Sequence, residues 1–163
     1  SGDPVINDAN GYVTVGAAAS TEVTGTIGGI FVGCKYLSVS QKRTVWSNYW
    51  PGSDVASTQT VEGYIVNDPN AKFIAQVGGS SSTGLTAAAI NANVQFAYGT
   101  GNTANGISGA YVVYNSADVT STLPFRVVGL VTDPPGSAGT ESGAYNWVIV
   151  AFNNVTTKSL TGI

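Results

Sequence analysis

The sequence contains no histidine, and this absence removes the side chain on which most acid–base catalysis depends. Ser-His-Asp and Cys-His catalytic groups are thereby excluded, together with metal sites that use histidine ligands. The nine Asp and Glu residues nearly all stand beside Pro, Asn, Gly or Ser, where a carboxylate ordinarily caps a turn. We therefore predict no enzymatic activity, no cofactor and no metal. A hydrolase built on a carboxylate pair and a metal held by loop oxygens are the alternatives that the composition leaves open.

Charge is also scarce: Asp, Glu, Lys and Arg make up 9% of the chain, where soluble domains average about 25%. Six Lys and Arg residues spread along the sequence give no electrostatic footprint for a phosphate backbone. The apolar runs are much shorter than the roughly 20 residues of a membrane-spanning helix. We therefore expect neither a nucleic-acid nor a membrane partner.

Methionine is absent, including from position 1, and cysteine occurs once. We expect that the initiator has been removed or that the chain begins within a longer precursor. The single Cys34 excludes an internal disulfide. Its apolar surroundings in "IFVGC" predict a buried, unreactive thiol.

The residues that are present predict an all-β protein. Hydrophobic residues make up 43% of the chain, enough for one compact β domain over residues 1–163. Short segments rich in Val, Ile, Thr and aromatic residues alternate with Gly, Asn, Asp and Pro, the pattern of a sandwich or barrel. We predict an antiparallel β-barrel or barrel-like sandwich, with a jelly-roll as the alternative and at most one short helix near 85–91. The predicted strands are 12–15, 23–36, 43–47, 60–66, 72–77, 94–98, 110–114, 125–132 and 146–152.

An aromatic cluster stands out in "VWSNYWPG", where Trp46, Tyr49 and Trp50 fall within five residues. These side chains could plug one end of a barrel, anchor a protein interface or form a platform for stacking sugars. We include the nearby Tyr36 and Arg43 among the interface candidates. Because a surface so poor in charge favours association, we also expect an obligate oligomer.

The stretch "VNDPNAKFIAQV" places Asp68 and Pro69 before an apolar run. Proline restricts its own φ, and an Asp side chain accepts backbone N–H groups nearby. The pattern predicts a turn at Asp68 and Pro69 that leads into a strand. We expect these two residues to have a structural role.

Six segments in this order resemble a family of virion structural proteins of tailed bacteriophages, of the head decoration or cement type. The segments are "GDPV" (2–5), "GTIGGIFVG" (25–33), "VNDPNAKFIAQV" (66–77), "NANVQFAYGTGNTANGISG" (91–109), "TLPFRVVGLVTDP" (122–134) and "WVIVAFNN" (147–154). Together they extend over almost the whole chain. Family members carry a segment before "GDPV", so the resemblance also implies an N-terminal arm that has been removed or lies outside this chain.

The resemblance implies a protein on the outer surface of a phage head. Its partner would be the major capsid protein, whose contacts it would stabilise, and it would often be a trimer. The aromatic insert at 34–52 departs from the family pattern, so a shared contact role for that insert does not follow. A host-adhesion or carbohydrate-binding module of the virion is the alternative, with Trp46, Tyr49 and Trp50 as its stacking surface.

Overall fold

The computed structural model describes residues 1–16, 21–132 and 143–158. Within these ranges almost all regular structure is β, and the all-β prediction is confirmed. Helical structure in the described ranges is confined to two 3-10 turns, Gly52–Asp54 and Ala87–Ala89, and the second lies inside the predicted 85–91 segment. The strands are β1 (Pro4–Asn7), β2 (Val13–Val15), β3 (Glu22–Val23), β4 (Gly29–Leu37), β5 (Thr44–Ser47), β6 (Glu62–Val66), β7 (Lys72–Gly78), β8 (Asn93–Val94), β9 (Phe96–Tyr98), β10 (Ala110–Val113), β11 (Phe125–Leu130) and β12 (Trp147–Phe152).

The strands form two sheets, as expected of a barrel or sandwich. The five-stranded sheet is built on the long strand β4, which pairs with β6 along one edge and with β1 and β5 along the other. Strand β2 extends this sheet beyond β1. The seven-stranded sheet has the order β3-β9-β10-β7-β12-β11-β8 and curls into a half-barrel.

One strand pair departs from the predicted antiparallel arrangement. Strands β10 and β7 are parallel, with Val112 opposite Val77, whereas the other pairs between the twelve strands are antiparallel. A parallel pair needs a long crossover, and the chain between β7 and β10 supplies one that includes β8 and β9. This connection was not visible in the hydrophobic pattern.

The predicted strand 23–36 is divided between the two sheets. Val23 ends β3 in the seven-stranded sheet, and Gly29 begins β4 in the five-stranded sheet. Between them the backbone of Ile27 donates to the carbonyl of Asn154 at 3.1 Å and accepts from Thr156 at 2.9 Å. Strand β1 was not predicted at all, because "PVIN" is short and begins with proline.

The core lies mainly against the inner face of the seven-stranded sheet and contains a series of aromatic contacts. Phe152 lies with its ring centroid 5.0 Å from that of Phe73 and 5.8 Å from that of Phe125. Phe96 continues the series, 5.7 Å from Phe125 and 5.3 Å from Tyr98. The Tyr98 hydroxyl donates to the carbonyl of Pro4 at 2.5 Å, which joins the core to the five-stranded sheet.

Candidate binding surfaces

Trp46 and Tyr64 form an exposed aromatic pair on one face of the five-stranded sheet. They lie on the strands that flank β4, where Trp46 is paired with Lys35 and Tyr64 with Gly33. Their ring centroids are 5.0 Å apart and their planes are inclined by 54°. Because 55% of Trp46 is exposed, the pair presents open aromatic surface to solvent.

Glycine at position 33 permits this close approach. A Cβ at that position would lie 2.8 Å from Cε2 of Trp46 and 2.9 Å from the carbonyl oxygen of Ser47. Its φ of 157° is also one that residues with side chains rarely adopt. The Trp46 indole therefore packs directly on the β4 backbone.

Tyr36, proposed from the sequence as an interface residue, lies inside the protein. Alternation along β4 puts it on the face opposite Lys35, where 8% of it is exposed. Its hydroxyl donates to Oδ2 of Asp54 at 3.2 Å. Burial, and then this bond to a carboxylate, raises the pKa of Tyr36. The structure thus separates Tyr36 from the exposed aromatics that neighbour it in sequence.

Asp54 was not singled out from the sequence, yet it holds the loop that carries Trp50. Its carboxylate accepts from the hydroxyl of Ser38 at 2.7 Å, from the backbone N–H of Ser40 at 2.9 Å and from Tyr36. These bonds, with that of Ser38 the largest contribution, lower the pKa of Asp54 to about 2. Asp54 therefore anchors the short 3-10 turn after Trp50 to the β4–β5 hairpin.

Arg43, the other interface candidate, lies exposed in the β4–β5 turn. Its guanidinium donates from Nε and Nη2 to Oε1 of Gln41, at 3.1 and 2.9 Å. Both bonds are local to the turn. Arg43 lies immediately before β5, at the turn of the hairpin, whereas Trp46 lies near the end of β5.

Tyr49 and Trp50 line a groove on the face of the five-stranded sheet opposite the Trp46–Tyr64 pair. The groove has a volume of about 1070 Å³ and is bordered by β2 with Tyr12, by residues 59–61 and by the 99–109 loop. Cys34 and Gly63, which pair across β4 and β6, belong to its floor. We call it the Tyr12–Trp50 groove.

Packing against the 99–109 loop positions Tyr49 in this groove. The Nδ2 atom of Asn48 donates to the carbonyl of Asn105 at 2.6 Å. Gly106 has a φ of 69°, and a Cβ there would lie 2.7 Å from Cδ1 of Tyr49. The turn needs a glycine both for its backbone conformation and for room beside the ring.

A third surface, which the sequence patterns did not predict, lies on the outer face of the seven-stranded sheet. Its members are large apolar side chains on β7, β11 and β12 or beside them. We call it the outer patch, and it comprises Ile74, Val128, Tyr145, Trp147 and Ile149. All but the half-buried Ile149 are exposed, and 65% of Ile74 is accessible. Ile74 and Ile149 are directly paired across β7 and β12.

The outer patch ends at two cations. In the register of the sheet Ala151 is paired with Lys72 on β7 and with Arg126 on β11, so all three share the face of Ile74. The Arg126 guanidinium donates to the side chains of Asn93 and Asn153 at 3.1 and 3.2 Å. A clue was present in the sequence, since Ile74 alternates with Lys72 and Gln76 on an otherwise polar face of β7.

Asp68 and Pro69 lie in the tight turn between β6 and β7. The Oδ1 atom of Asp68 accepts the N–H of Asn70 at 2.9 Å, and its carbonyl accepts the N–H of Ala71 at 3.0 Å. These bonds close the turn from which Lys72 begins β7. The hydrogen bonds of Asp68 therefore stabilise the turn itself.

Neither the three surfaces nor the rest of the described chain contains three His, Cys, Asp or Glu residues grouped to hold a metal ion. No helix in the described ranges is long and apolar enough to cross a membrane. The chain matches no family model, no curated protein and no solved structure.

Proposed function

We propose that the protein is a decoration, or cement, subunit of a tailed-phage virion that binds the outer surface of the head and stabilises contacts between major capsid proteins. The proposal gives it a role in assembly, as a trimer on the particle, and no reaction to catalyse. The observation that carries it is the outer patch. The resemblance of six segments to head decoration proteins supports the same conclusion.

The outer patch has the properties of a surface that a protein partner covers. Monomeric proteins rarely leave large apolar side chains contiguous on a regular sheet face. Covering apolar surface yields about 25 cal/mol per Å², and stable interfaces bury roughly 1,200–2,000 Å² in total. Trp147 and Tyr145 are of the residue types that dominate binding energy at interfaces.

The two cations at the end of the outer patch indicate which side chains a partner surface would carry. Lys72 and Arg126 flank Ala151, whereas Ile74 and Ile149 occupy the next row along the strands. A complementary capsid surface would place apolar side chains opposite the isoleucines and carboxylates opposite the two cations. Because the centre of the patch is uncharged, attachment should persist at ionic strengths that screen the two ion pairs.

The test is to add the purified protein to undecorated phage heads and to measure the bound fraction by cosedimentation. We expect saturable binding, and we expect Ile74→Asp to weaken it by about 2 kcal/mol or more, which is at least about 30-fold. Val119→Asp is the matched control, because Val119 is 94% exposed and lies outside the outer patch. Absence of binding by the wild-type protein at any salt concentration would refute the proposed function.

Self-association is measured separately by sedimentation of the isolated protein at micromolar concentration. A trimer has three times the chain mass of 16.6 kDa. A monomer that stays a monomer at this concentration would contradict the trimeric part of the proposal. Head binding by such a monomer would leave the decoration role supported.

A further inference from the structure

The Tyr12–Trp50 groove and the outer patch share no residue. Its floor is apolar and comes from the five-stranded sheet, including Phe31 and Gly63, with the buried Cys34 beneath it. Its volume of about 1070 Å³ slightly exceeds the roughly 300–1,000 Å³ typical of ligand sites. The groove therefore has room for a ligand of several rings.

Three aromatic side chains stand at the groove with much of their surface open. Tyr12 is 65% exposed, Trp50 63% and Tyr49 48%. The Tyr49 ring packs beside Gly106, and the backbone that follows Trp50 is anchored by the hydrogen bonds of Asp54. An open ring on a fixed support offers a stacking surface that loses little conformational entropy on binding.

The rest of the rim is rich in polar side chains and has few charged groups. Besides the exposed Val13, Val15 and Ile107, its exposed side chains include hydroxyls and amides that both donate and accept hydrogen bonds, namely Thr14, Gln59, Thr60, Asn102 and Thr103. The groove contains one carboxylate, Asp3, whose Oδ1 accepts the Ser108 hydroxyl at 2.6 Å. No lysine or arginine lines it.

We propose that the Tyr12–Trp50 groove binds a neutral oligosaccharide. A sugar ring presents C–H groups on its faces, which stack on aromatic rings, and hydroxyls at its edge, which pair with Thr, Asn and Gln side chains. A phosphate-bearing ligand would find no lysine or arginine to pair with, and the one ammonium at the groove, that of Ser1, already donates to the carbonyls of Asn48 and Gly106 at 2.6 Å each. A ligand without polar groups would cover the threonines and amides without giving them hydrogen-bond partners. The inference rests on the groove alone and does not depend on capsid binding.

The experiment uses the full chain labelled with ¹⁵N. An array of neutral glycans is screened first, and maltohexaose, cellohexaose and chitotetraose are then titrated by NMR. We expect chemical-shift changes at the amides of Gly63, Gly101 and Gly106, which line the groove, at millimolar ligand or below. Trp50→Ala and Tyr12→Ala should each weaken binding by about tenfold.

Trp46→Ala is the matched control, since this tryptophan is 55% exposed and lies on the opposite face of the same sheet. It should leave glycan affinity unchanged. Equal weakening by Trp46→Ala would overturn the assignment, as would no binding on the array together with no shift change in the titrations. If undecorated heads broaden the groove amides and glycans do not shift them, the groove binds protein and the proposal fails.

Discussion

Replacing Asn146 with alanine should destabilise the protein through the loss of two buried hydrogen bonds. Asn146 has no exposed surface and immediately precedes β12. Its Oδ1 accepts the N–H of Leu85 at 3.2 Å, and its Nδ2 donates to the carbonyl of Leu85 at 2.8 Å. One side chain thus satisfies both backbone groups of a residue 61 positions away.

The expected cost follows from those two contacts. A buried backbone group left without a partner costs about 1–3 kcal/mol, so Asn146→Ala, which leaves two such groups, should cost about 2–6 kcal/mol. The bond from the Val77 N–H to the carbonyl of Asn146, at 2.8 Å, is retained because alanine keeps that carbonyl. The loss would be a large part of the roughly 5–15 kcal/mol of a typical domain.

Urea unfolding followed by tryptophan fluorescence measures the effect. The midpoint should fall while the slope of the transition stays the same, because the variant exposes no additional surface on unfolding. Asn115→Ala is the matched control, since Asn115 is exposed and should change stability by no more than about 0.5 kcal/mol. A loss below about 1 kcal/mol for Asn146→Ala would refute the reasoning, because Leu85 would then have other partners.

Three further predictions concern the five-stranded sheet. Gly33→Ala should displace the Trp46 indole, shift its fluorescence and cost about 1–3 kcal/mol of stability. Gly63→Ala should cost less, because its Cβ would make only ordinary contacts with Val13 at 3.5 Å and Phe31 at 3.9 Å, and equal costs would contradict this reasoning. The pKa of Asp54, lowered to about 2 from 3.8, predicts stability that is present above pH 4 and lost as the pH falls toward 2. In Asp54→Asn the free energy of unfolding should fall less steeply between pH 4 and pH 2. An unchanged pH dependence would contradict the role given to the Ser38 and Ser40 hydrogen bonds. Burial raises the pKa of the Cys34 thiol, so a thiol reagent should label it rapidly only after unfolding, and fast labelling of the native protein would show that the thiol is accessible.

Local patterns sufficed for much of the fold. Alternation and turn residues predicted strands close to β5, β6, β7, β11 and β12, and the Asp68 turn follows from side-chain chemistry within three residues. The same patterns joined β3 to β4, because both segments are apolar and nothing nearby indicates that the chain changes sheets. The parallel pairing of β10 with β7 depends on partners more than 30 residues apart, which no local rule contains.

The candidate surfaces were only partly predictable. The cluster of Trp46, Tyr49 and Trp50 was evident, but its division between two faces of a sheet was not. Trp46 is paired with Lys35 and lies on one face of the five-stranded sheet. Trp50, which precedes the turn at Pro51, lines the groove on the other face. The outer patch could not be predicted, because Ile74 and Trp147 are far apart in sequence and become neighbours only when β7 pairs with β12.

The sequence by itself determined the β class, the sparse charge and the missing histidine chemistry, because these follow from composition and from periodicity within a few residues. Tertiary structure alone decided which apolar residues are buried and which are exposed. Phe73 and Ile74 are neighbours of similar hydrophobicity, yet one contacts Phe152 in the core and the other faces solvent. The reason is that a strand points successive side chains to opposite faces, and only the packing of the whole sheet assigns one of those faces to the interior.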